Sequence, residues 1–107
     1  MEQTLSLNTN NGQATFTSKK IKGLLDGIVI ESKEKVDIII ESELEFLIMK
    51  EKQFSGVHYF APRARTRADV EDLRDVTSFD KFNLDEALVI TLMGPPNSEV
   101  NLSIRSI

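Results

Sequence analysis

The chain has 107 residues, a net charge of −4 and a pI near 5.0, with 40% hydrophobic and 28% charged residues. That length and mixture fit one globular domain, residues 1–107, with a modest core, and not a disordered tail. The acidic balance disfavours a general nucleic-acid binder, whose affinity comes from basic side chains meeting phosphates. With no cysteine, disulfide scaffolds, thiolate nucleophiles and cysteine-ligated zinc are excluded. Met1-Glu2-Gln3-Thr4 has neither the basic start nor the apolar core of a signal peptide. No run approaches the length of a membrane-spanning helix, so no membrane contact is expected.

In chain order, Leu5 and Leu7 alternate with polar neighbours, and Ala14, Phe16 and Ser18 share one face of the next run. Asn11-Gly12 lies between them and tolerates the positive φ of a type I′ turn, so residues 4–19 are expected to form a hairpin. Asn8, Asn10 and Asn11 lack the early carboxylates and distant glutamate of a calcium loop. Lys19, Lys20 and Lys22 read as a solvated connection, and Gly27 as a bulge or bend.

The densest β signal follows. Ile28–Glu31 and Val36–Glu41 are rich in branched side chains that suit a pleated surface, and the polar Ser32–Lys35 between them predicts an antiparallel hairpin. Leu44–Met49 reads as a third strand, with a helix as the alternative, and Lys50–Gln53 as a turn. Gly56–Ala61 is expected to be a strand ended by Pro62, with one of Tyr59 and Phe60 in the core and the other covering a sheet face or sitting at an interface.

Residues 62–83 lack strand character. Arg63, Arg65 and Arg67 stand at alternate positions, followed by the acidic Asp69, Glu71, Asp72 and Asp75. Thr66 could cap a short helix, with Asp69 in its first turn and Val70 and Leu73 packing inward. A segment that is basic and then acidic can pair with a copy of itself; a solvated excursion is the alternative. Tyr59 and this segment (Arg63, Arg65, Arg67, Asp69, Glu71, Asp72) form the candidate interaction surface. Phe79 and Phe82 are expected to anchor its return. Leu88–Met93 and Val100–Arg105 alternate cleanly as strands, separated by the stiff turn Gly94-Pro95-Pro96-Asn97. Asn101-Leu102-Ser103 matches a glycosylation sequon and, with no export signal, reads as chance.

Chemistry-bearing patterns are sparse. Glu41, Glu43 and Glu45 alternate on what is expected to be the wet face of a strand. His58, the one histidine, has no base or metal partner nearby in sequence. No serine elbow, phosphate loop or zinc helix is present. The expectation is a non-enzymatic protein without metal or cofactor.

About eight short strands between turn signals imply an all-β fold, an antiparallel β-sandwich or jelly-roll-like barrel whose edges invite association. The start Thr4-Leu5-Ser6-Leu7-Asn8, the Ile28–Met49 runs, the arginine-rich excursion from Pro62, and Gly94-Pro95-Pro96 followed by Val100–Ile104 together resemble small β-sandwich proteins of tailed-bacteriophage virions, of the head-decoration and connector type. That resemblance implies a structural component of the virion, found there or in the host cytoplasm during assembly, that docks on other proteins and forms homo-oligomers. It transfers no individual binding residue. Two other readings stand beside it. A carbohydrate-binding module would usually present several aromatics, and the chain has one Tyr and no Trp. A nucleic-acid-associated regulator would use Arg63, Arg65 and Arg67.

Overall fold

The computed structural model describes the backbone of residues 1–68 and 76–107 and the side chains of residues 1–64 and 80–107. Among the described residues there are nine strands and no helix. They are β1 (Glu2–Asn8), β2 (Gln13–Thr17), β3 (Ile21–Ser42), β4 (Leu47–Phe60), β5 (Arg63–Ala68), β6 (Val76–Lys81), β7 (Asn83–Glu86), β8 (Leu88–Met93) and β9 (Glu99–Ser106). All pairings are antiparallel, and the main sheet curls into a half-barrel, an all-β architecture of the sandwich or barrel kind.

The 22-residue β3 is the axis. β4 runs along one of its edges, from Ile28↔Phe60 to Glu41↔Leu47. Along the other edge lie β9, opposite Leu25–Ser32, and then β8, opposite Asp37–Ser42. β1 pairs with β9 and β2 with β8, so β1 and β2 run end to end against the same two strands. The expected 4–19 hairpin is therefore absent. Asn10 (φ 52°) and Gly12 (φ 112°) do adopt left-handed backbone, but they offset the strand without reversing it. The expected hairpin between Ile28–Glu31 and Val36–Glu41 is also absent, because both runs belong to β3. Ser32-Lys33-Glu34-Lys35 has none of the glycine or asparagine that a tight reversal needs, and it forms a bulge held by the Ser32 hydroxyl donating to the Glu34 carbonyl at 2.7 Å. The reversal falls instead at Glu43–Phe46, so Leu44 is exposed and the next strand begins at Leu47. Lys50–Gln53 lies within β4, where Gln53 (φ 54°) marks a bulge and not a turn.

All four lines of chain are interrupted at one level: β1 gives way to β2 at Thr9–Gly12 and β8 to β9 at Gly94–Ser98, while the β3–β4 ladder shifts register at Lys33–Lys35 and Gln53–Gly56. The sheet creases along this line. Three buried hydroxyl residues sit in the crease, Thr9, Ser32 and Ser98. Thr9 Oγ1 donates to the Pro95 carbonyl at 2.6 Å and accepts the Ser98 amide at 2.9 Å, while Ser98 Oγ donates to the same carbonyl at 2.7 Å. Backbone bonds from Gly94 N to Gly12 O and from Asn97 N to Asn10 O complete the corner. Buried polar atoms carry a penalty unless paired, and no described buried side-chain polar atom lacks a partner.

Side chains from both sides of the crease meet in one core. Ile28, Ile30, Val36, Ile38 and Ile40 of β3 pack with Leu88, Ile90 and Leu92 of β8 and with Val100, Leu102 and Ile104 of β9. Each such side chain contributes about 1.5–3 kcal/mol by leaving water. The curl closes where both ends of β3 meet one short segment: Ile21 pairs with Glu86 and Ser42 with Leu88. There the buried Glu86 accepts the Ser42 hydroxyl at 3.3 Å and the Asp85 amide at 2.9 Å. Leu88 N donates to Ser18 Oγ, and Ala87 N to Glu43 Oε1.

The segment expected to lack strands holds two of them. β5 and β6 pair with each other from Arg63↔Lys81 to Ala68↔Val76, so Thr66 is a strand residue and not a helix cap. The rest of the expected helix, with Asp69, Val70 and Leu73, lies outside the described residues. β4 leaves the edge of β3 at Ile28, the β5–β6 arm extends from the gap, and β7 rejoins the same edge at Ile21–Leu24. The bulge predicted near Gly27 is present as a register shift between Leu25 and Gly27, facing this gap. The molecule measures 54 × 26 × 23 Å.

Candidate docking surface

The arm is tied to the sheet at Asp26. The Asp26 carbonyl accepts Arg63 Nη1 at 3.1 Å and the Tyr59 hydroxyl at 3.3 Å, and its carboxylate pairs with Lys81 at 3.3 Å. Arg63 Nη1 also reaches the Pro62 carbonyl at 2.8 Å, which fixes the bend where β4 becomes β5. On the returning side, Leu25 N donates to Phe82 O at 2.8 Å, and the Phe82 ring stacks on Phe46 from the β3–β4 turn at 5.9 Å. The anchoring role expected of Phe82 is thus present; the Phe79 side chain lies outside the described ones.

Tyr59 and Phe60 divide as an extended strand requires. Phe60 turns inward, edge-on to Phe54 at 5.6 Å, and His58 leans on it at 4.6 Å. Tyr59 turns outward and lies over Gly27, where a Cβ would run into its ring and hydroxyl. A cross-strand aromatic of this kind covers backbone that a glycine leaves bare. Tyr59 (48% exposed) continues with Val57 (68%) and Val29 (36%) as an apolar strip on the outside of β3 and β4.

The candidate residues are therefore only partly brought together. Tyr59 and Arg63 meet at Asp26. Arg65 and Arg67 hold register positions in β5 opposite Phe79 and Thr77. Asp69, Glu71 and Asp72 lie outside the described residues. Glu41, Glu43 and Glu45 do not share a strand face: Glu41 lies within β3, one residue before its end, and Glu43 and Glu45 belong to the turn, with Glu43 engaged at Ala87. No group of three metal-ligating side chains gathers among the described residues. Asn8 Oδ1 accepts the Asn10 amide at 2.6 Å, a local turn contact. Asp26 and Lys81 escape a linear reading, because the pairing that joins them spans the whole arm and no local pattern marks it.

No protein-family model matches the chain, and no curated protein is significantly similar to it.

Proposed function

We propose that this chain is a non-enzymatic structural protein that docks on other protein subunits through the arm and the exposed edge of β4. The tailed-phage virion is the setting that its sequence style suggests. One observation carries this reading: a sheet whose described buried side-chain polar atoms are all paired extends a two-stranded ribbon that, among the described residues, has no partner strand but its own other half. A lone hairpin is marginal in water, so a ribbon of this kind gains most from a surface to lie against. The outer edge of β4, which has no partner strand among the described residues, adds a second such site.

The test is amine-reactive cross-linking of the full chain in the cells that make it, read by mass spectrometry. Links from Lys50, Lys52 or Lys81 to other protein subunits, or between copies, are expected. A chain that forms no intermolecular link and stays monomeric at every concentration overturns the reading. A polyanionic partner is the second reading, favoured by the register that places Arg63, Arg65 and Arg67 at alternate positions of β5, with Lys81 opposite Arg63. It requires binding to a nucleic-acid duplex that weakens steeply with salt and is lost when Arg65 and Arg67 become Ala.

A further inference from the structure

The two sheet edges are treated differently. At the β1 edge, the Gln3 side-chain amide makes two 3.1 Å bonds to the backbone of Lys19, which turns the chain back over the strand end. The outer edge of β4 has no partner strand among the described residues. Its first half is guarded in the usual ways, by Lys50, Glu51 and Lys52 and by bulges. Its second half is not. Gly56–Phe60 stays in unbroken register with β3, and no charged residue occurs from Gln53 to Pro62.

We propose that Gly56–Phe60 pairs antiparallel with the same stretch of a second copy, with the two-fold axis passing through His58. The proposal rests on the assembly reading above and narrows it to one edge and one register. In a closed two-fold contact, if residue i faces j then j faces i. An axis at His58 sets Val57 against the partner's Tyr59, twice, on the outer face. Pairs of a β-branched and an aromatic side chain are among the favourable cross-strand pairs, and these two would cover the most exposed apolar groups of the strip. Moving the axis to Tyr59 sets Gly56 against the partner's Pro62, which has no N–H to give. Moving it to Glu51 opposes Glu51 to itself and Lys50 to the partner's Lys52. Only the uncharged stretch lets a copy approach without like charges meeting. Five paired residues make a small interface, so the dimer is weak, with a Kd of roughly 10–1000 μM.

The chain has no cysteine, so one introduced thiol reports the register directly. Cα atoms facing each other across an antiparallel pair lie roughly 4.5–5.5 Å apart, within disulfide reach. Under mild oxidation His58→Cys is expected to form a covalent dimer at least tenfold faster than Lys52→Cys, a collision control on the same edge. Mixed Val57→Cys and Tyr59→Cys chains are expected to cross-link with each other in excess of either with itself. Val57→Lys, at an exposed position that folding tolerates, raises the dimer Kd at least tenfold in sedimentation equilibrium. Equal rates for His58→Cys and Lys52→Cys, or an unmodified chain that stays monomeric up to about 1 mM, overturn the proposal. If that monomer still cross-links to a different protein, the assembly reading stands and the edge has another occupant.

Discussion

The sheet is interrupted in two places, with opposite results. At the crease every neighbouring segment breaks at the same level, and the freed backbone groups are satisfied by Thr9, Ser98 and each other. At the arm only one edge of β3 is interrupted, at Leu25–Gly27, while β9 continues unbroken on the other side but for a one-residue shift. The first interruption folds the sheet onto its own core. The second extends a ribbon and fastens it with half-exposed groups around Asp26. What a break in a strand does depends on whether its neighbours break with it.

Four substitutions probe that contrast. Thr9→Val keeps the shape but leaves the Ser98 amide without its acceptor and removes a donor from Pro95. A loss of about 3 kcal/mol is expected in urea unfolding, largely recovered by Thr9→Ser. Gly94→Ala places a Cβ 2.9 Å from Cγ1 of the buried Val36 and 3.2 Å from the Lys35 carbonyl. The crowded corner should lose about 2 kcal/mol, read as a lower midpoint at constant slope. Arg63→Ala removes two bonds to carbonyls at the arm base. Global stability should fall by less than about 1 kcal/mol, while amide exchange in β5 speeds up and that in β8 does not. Asp26→Asn removes the pairing with Lys81, a partly exposed contact, and should cost at most about 0.5 kcal/mol. If Thr9→Val proved as mild as Asp26→Asn, the distinction between corner and arm would fail.

Much of the fold was legible in the residues, because alternation over Leu88–Met93 and Val100–Arg105 reports a strand with one buried face. The inward residues of β3 were legible for the same reason. Connectivity was not. Asn11-Gly12 carries the conformational signature of a reversal, yet the same left-handed backbone also serves a jog between collinear strands. Which one forms depends on partners nearly a hundred residues downstream, such as Leu102 for Leu5. β5 and β6 were hidden for a different reason. Neither Arg63–Ala68 nor Val76–Lys81 alternates large apolar with polar residues, so the hydrophobic period that betrays a strand never develops. Of the candidate surface, Tyr59 and Arg63 were visible as residue types, but their meeting at Asp26 follows from the gap in β3's edge, which no local spacing encodes.

The end-to-end placement of β1 and β2 has a consequence for how the molecule is made. Their strand partners among the described residues, β9 and β8, are the last two of the nine strands. During synthesis the opening segment must therefore wait unpaired while β3 and β4 zip together behind it. Its ladder can form only when β8 and β9 emerge, which makes this a slow-nucleating topology dominated by distant pairings and leaves Leu5, Leu7 and Phe16 uncovered until then.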